Sequence, residues 1–114
     1  MKNVNRSIPL QEPTLYILLS LRSGEKHGYA ILKEVNELSD KRIRLSTGTL
    51  YGALYRLLDQ GLIEQVESKD SSRRKKSYRL TRSGLEVFDV EVGRMKHLLL
   101  AVNKKVETIG GQQV

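Results

Sequence analysis

The densest charge in the chain is Arg73-Arg74-Lys75-Lys76, four cations in a row. Guanidinium and ammonium groups placed this way neutralise phosphate oxygens and gain from the counterions they release. Upstream, Ser46-Thr47-Gly48-Thr49-Leu50-Tyr51-Gly52-Ala53-Leu54-Tyr55-Arg56 interleaves hydroxyls with glycines. Thr47, Thr49, Tyr51 and Tyr55 can donate to phosphate oxygens. Arg56 is the one side chain of that stretch able to grip a base edge with two parallel bonds, or a phosphate instead. Both sets suit an anionic polymer, and neither makes or breaks a covalent bond. Nucleophilic and metal chemistry have little to work with. There is no cysteine, and the histidines are His27 and His97, so thiolate nucleophiles and thiolate zinc sites are excluded. The phosphate-loop pattern GxxxxGK followed by Ser or Thr is absent. No enzyme activity, metal or cofactor is expected.

Elements are needed to hold these groups. Pro13 suits the first turn of a helix, where its missing N–H costs nothing, and Leu15, Leu18, Leu19 and Leu21 make a helix over 13–22 apolar on much of its surface. A second helix over 28–39 turns Ile31, Val35 and Leu38 to one side. A basic connector, Asp40-Lys41-Arg42-Ile43-Arg44-Leu45, leads to Ser46. Ser46 is placed as the N-cap of a third helix whose inner stripe is Leu50, Leu54, Leu57 and Leu58 and whose stop is Gly61. Free N–H groups at that helix start favour anions, so Ser46 joins the contact set. Gly48 and Gly52 fall one turn apart on the outer side. Each costs a solvated helix about 0.8–1 kcal/mol relative to Ala, and close approach of the backbone to DNA would explain them.

Two strands, 62–67 and 77–81, follow, with the cations on the turn between them. A charge run alone is usually just solvated surface. Behind a capped helix and between two strands, it has the layout of a winged helix-turn-helix. The fold class expected is mainly α with a two-stranded wing and a long C-terminal dimerisation helix.

That last helix carries Leu85, Phe88, Val92, Met95, Leu99, Val102, Val106 and Ile109 at alternating steps of three and four. This is a heptad seam sustained for more than three repeats. It could pack on its own domain, but about 25 residues at about 1.5 Å each exceed what a small winged domain covers. A homodimer is expected, with Leu85, Phe88, Val92, Met95, Leu99, Val102 and Val106 in the interface. The chain divides into a flexible arm (1–12), a DNA-binding domain (13–81), a dimerisation helix (82–109) and a frayed tail (110–114).

Charge follows the same division. Of 20 cations and 13 acids, 15 and 9 precede Arg82, so +6 of the net +7 lies in the DNA-binding part. Leu15 to Leu21 is far short of the roughly 20 apolar residues of a membrane helix, and no small-residue cleavage site follows it. A cytoplasmic, nucleoid-associated protein with no membrane partner is expected.

The motifs Gly28-Tyr29-Ala30-Ile31, Gly48-Thr49-Leu50-Tyr51, Leu57 to Ile63 and Arg73 to Thr81 with Gly84, in this order and spacing, resemble the PadR family of bacterial regulators, in its short form. The resemblance covers about Thr14 to Gly84. It implies a winged-helix dimer, usually a repressor, that binds double-stranded DNA at an inverted repeat. It implies contact with DNA by Tyr29, Thr49, Tyr51 and the basic wing, and dimerisation through the last helix together with the first, which adds Leu15 and Leu18. Where the family very often has proline after the helix-three tyrosine, this chain has Gly52. Short members that bind drugs hold flat aromatic compounds against an indole on the last helix. Met95 occupies that position here, and the chain has no tryptophan. Met95 with Phe88 gives an adaptable apolar pore for a small aromatic effector, and a filled seam is the simpler alternative. Two other readings use the same fold: a winged module that binds protein or RNA, and a small-molecule sensor with incidental DNA contact.

Overall fold

The computed structural model describes residues 10–67 and 76–113, with side chains through Val106. The elements follow in the order α1 (Glu12–Leu21), β1 (Lys26–His27), α2 (Gly28–Leu38), α3 (Thr47–Asp59), β2 (Ile63–Glu67), β3 (Lys76–Leu80) and α4 (Arg82–Gln113). Strand β3 lies between β1 and β2, antiparallel to both. The expected two-stranded wing thus gains a third, two-residue strand that pairs Lys26 with Tyr78 and His27 with Ser77. On the exposed face, Glu64 and Arg79 sit opposite each other and form an ion pair at 2.7 Å.

The apolar stripes meet in one core. Ile17, Leu18 and Leu21 of α1, Ile31 and Val35 of α2, and Leu50, Ala53, Leu54 and Leu57 of α3 are buried together with Leu62, Ile63, Tyr78, Val87 and Phe88. Burial at about 25 cal/mol per Å² of apolar surface drives this assembly, and local bonds set where each helix stops and starts. Ser46 Oγ accepts the Thr49 N–H at 3.0 Å, so the cap of α3 is the one expected. Its far end closes with the Gly61 N–H on Leu58 O and the Leu62 N–H on Leu57 O, both 3.0 Å.

One junction joins α3 to α4. The Thr81 N–H donates to Leu62 O at 3.1 Å. The Thr81 hydroxyl donates to Gly61 O at 2.6 Å and accepts the Gly84 N–H at 3.0 Å. A Cβ on Gly84 would collide with the Leu62 carbonyl oxygen, so only glycine lets the first turn of α4 press against the segment that leaves α3. The two helices are fastened within a few residues of each other.

Three expectations are corrected. Leu10 packs against the core, and its N–H donates to Glu91 at 2.5 Å, so the chain is already held two residues ahead of α1. Of the arm expected over 1–12, residues 1–9 lie outside the described residues. At the other end, α4 continues to Gln113 where a frayed tail was expected from 110. The heptad stripe is the third. Leu18 and Phe88 belong to the protomer's own core, with 0 % and 7 % of their surface exposed, which leaves a partner nothing to touch. Val92 packs half-buried against that core, and Leu15 and Leu85 are half-buried. The stripe comes free only beyond Glu91, where Met95, Leu98, Leu99, Val102 and Val106 stand exposed.

Two glycines of α4 give a contrast. Gly84→Ala must displace backbone and is expected to destabilise the fold by about 1–3 kcal/mol, the usual cost of overpacking. Gly93, whose added Cβ would meet nothing within 4 Å, is expected to gain up to about 1 kcal/mol as alanine. Urea denaturation of both variants measures the difference, and equal effects would refute the junction.

Candidate nucleic-acid interface

The outer side of α3 follows from its inner side. Once Leu50, Ala53, Leu54 and Leu57 turn to the core, Tyr51 and Tyr55 are left one turn apart on the surface, 46 % and 71 % exposed. Thr47, Gly48 and Thr49 are exposed at the amino-terminal turn. Ser46 donates its hydroxyl hydrogen to Thr49 Oγ1 at 2.8 Å while accepting the Thr49 N–H. Ser46 is therefore occupied as a cap, and the Thr49 hydroxyl keeps its own hydrogen for an outside acceptor.

Tyr29, at the start of α2, is 75 % exposed. It lines an open cleft of about 430 Å³ with His27, Gly28, Ala30, Tyr51, Lys76 and Tyr78. The structure thus brings Tyr29, Tyr51 and Lys76, far apart in sequence, to one surface. Gly28 leaves room for Tyr51 in this position: a Cβ there would lie 2.9 Å from Tyr51 Cζ and closer still to its hydroxyl, so the ring would have to shift. At the cleft's sheet wall, His27 Nδ1 and Ser77 Oγ are 3.0 Å apart. Burial, with Tyr51 adding a smaller effect, raises the Tyr78 phenol above its ordinary pKa, so it stays a neutral donor. His27, Ser77 and Tyr78 were missing from the sequence-derived set. Their signal was their place inside motifs already singled out, beside Tyr29 and Lys76.

Gly48 and Gly52 behave differently from Gly28. An added Cβ at Gly48 meets nothing within 4 Å, and at Gly52 it meets only Arg56 Nη1 at 3.7 Å. The protein's own packing gives no reason for glycine at either position. Arg56 lines a separate recess beside the start of α1, with Leu10, Gln11 and Thr14, and its Nη1 lies over Gly52. Arg73, Arg74 and Lys75 lie outside the described residues. Lys76 is exposed at the start of β3.

The charges divide into paired and free. Arg42 is bound to Glu12 at 2.6 Å, Arg79 to Glu64 at 2.7 Å and Lys26 to Glu34 at 3.5 Å. The Glu12 and Glu64 contacts raise the pKa of Arg42 and Arg79 respectively. Lys33, Arg44 and Lys76 make no ion pair with a described residue. Among the described residues, no group of His, Cys, Asp or Glu could hold a metal ion, and no helix is long and apolar enough to cross a membrane.

Comparison with known proteins agrees with this geometry. The chain is 36 % identical over 84 residues to an uncharacterized 37.1 kDa protein in transposon TN4556 of Streptomyces fradiae. That match takes in 74 % of this chain but only 23 % of the relative, so the chain spans less than a quarter of that protein's length. A PadR family transcription regulator from Clostridium difficile superposes with a TM-score of 0.73 at 26 % identity, over 84 % of this chain and 99 % of that one. Bacillus subtilis PadR, crystallised in complex with operator DNA, matches with a TM-score of 0.64 at 28 % identity, over 72 % of this chain and 47 % of that one. The model of the transcriptional regulator PadR-like family matches residues 17–90, from the buried face of α1 into the part of α4 that packs on the core. With its three-stranded winged domain, exposed outer α3 face and long α4, the chain belongs to the PadR-like family of transcriptional regulators.

Proposed function

We propose that this regulator works as a homodimer that grips an inverted-repeat operator in double-stranded DNA and represses transcription from it. The observation that carries this reading is the outer side of α3. It is lined by hydroxyls and by two glycines that no internal contact requires, and it adjoins Lys76, a cation with no ion-pair partner among the described residues. A helix backbone that must approach a major groove closely is the partner such glycines suit. The operator complex of Bacillus subtilis PadR supports the same use of the fold. The tyrosine and threonine hydroxyls would position the protein on phosphates, and sequence preference would rest partly on DNA shape.

The dimer is supported by the free part of the α4 stripe. Met95, Leu99, Val102 and Val106 continue the line of Phe88 and Val92 past the edge of the domain, with Leu98 beside them at 63 % exposure. Five exposed apolar side chains on one stretch of helix are costly in water and inexpensive against a second copy. An aromatic effector held in a pore would rest on Met95 alone, since Phe88 is spent in the core; the operator-binding role needs no such ligand. Such a regulator acts in the cytoplasm, at the nucleoid.

Two outcomes follow. Gly48→Ala is expected to stabilise the fold by up to about 1 kcal/mol while weakening duplex binding at least several-fold. A more stable protein with unchanged affinity, in denaturation and anisotropy measurements, would remove close approach from the account. Leu99→Asp with Val102→Asp, both outside the domain core, should give folded monomers in sedimentation velocity with reduced operator affinity. Persisting dimers would place the seam elsewhere.

A further inference from the structure

A second cleft opens on the other side of Tyr29, about 320 Å³ in volume and lined by Tyr29, Leu32, Lys33, Asn36, Arg44 and Leu45. Tyr29 lines both clefts, so the two form one continuous band running from Lys76 past Tyr51 and Tyr29 to Lys33 and Arg44. The far end of the band is cationic. No carboxylate lines it, and Lys33 and Arg44 have no ion-pair partner among the described residues, whereas Arg42, two residues from Arg44, is neutralised by Glu12.

Arg44 does not hang from a loose loop. The connector is wound tightly after α2, with Asp40 and Lys41 in the left-handed region (φ 55° and 66°) and the Lys41 N–H on Asn36 O at 2.8 Å. The Ile43 N–H donates to the buried Ser39 hydroxyl at 3.0 Å, and Arg42 is tied to α1. Two left-handed non-glycine residues in succession cost free energy. Here they aim Arg44 at the same side as Lys33 and Tyr29. A helix seated in a major groove about 12 Å wide has a phosphate rim on each side. The wing can serve only one of them.

We infer that Lys33 and Arg44 form a phosphate clamp for the opposite rim, so that each reading head grips both strands across α3. The partner is the phosphodiester backbone of duplex DNA, held without regard to base sequence. The inference rests on the operator-binding reading above and deepens it. Lys supplies a point charge and Arg a planar fork that can take one phosphate with two bonds.

The test is the affinity for a labelled random-sequence duplex, by fluorescence anisotropy, between roughly 50 and 200 mM salt. Lys33→Gln with Arg44→Gln should lower the slope of log K against log salt by about 0.9 per phosphate contact, or about 1.8 in all. The charge-keeping exchange Lys33→Arg with Arg44→Lys should retain the slope, which separates charge from fold. Arg22→Gln with Lys96→Gln removes the same charge elsewhere on the exposed surface and should leave the slope in place. A wild-type slope in the double Gln variant, or an equal loss in the Arg22 and Lys96 control, would overturn the clamp alone. If the wild-type protein shows no salt-dependent duplex binding, the operator-binding reading fails and the clamp falls with it.

Discussion

The contact between Gly84 and the Leu62 carbonyl, with the three Thr81 hydrogen bonds around it, governs how this molecule can be used. It ties the end of α3 to the start of α4, so a force on one is carried directly to the other. Together with Val87 and Phe88 in the core and the Leu10–Glu91 bond, it sets the direction in which α4 leaves the domain. With that direction set, a second copy docked on α4 would fix where the second α3 stands. The free energy involved is modest, a few hydrogen bonds each contributing on the order of 1 kcal/mol. Its importance is geometric.

A similar logic runs through the reading head. Gly28 lets Tyr51 lie across the start of α2, and β1 pins that start to β3 through His27 and Ser77. Tyr29, Tyr51 and Lys76 are therefore set in place by three different elements. Each depends on the same buried core of Leu50, Leu54, Leu62 and Tyr78. Surface groups that act together are positioned from below by apolar packing, and their own hydroxyls and charges stay available for an outside partner.

Much of this was legible in the residues. The spacing of Leu50, Leu54 and Leu57 named the inner side of α3, and Ser46 and Gly61 marked its ends, because caps and helical period are local properties. What was not legible depended on distant contacts. β1 is two residues long and exists only because β3 pairs with it, so no period could reveal it. The heptad stripe of α4 ran unbroken from Leu85, yet the edge of the domain divides it. Phe88 fills the core, while Leu99 meets solvent. A repeat shows which side of a helix is apolar; what covers each turn depends on the domain's size. Arg56 could be named by type as a base or phosphate contact, but the recess it lines with Leu10 and Thr14 is formed by distant segments.

The central claim is that α3 and α4 form one rigid body in each copy of a dimer, which sets the spacing of the two reading heads. The chain has no cysteine, so Tyr55→Cys, on the exposed side of α3, gives one spin label per copy. Pulsed dipolar spectroscopy on the unliganded protein should then show a single narrow distance distribution, near the DNA repeat of about 34–36 Å or a whole multiple of it. A broad spread of distances, or no distance between copies where sedimentation shows dimers, would contradict it.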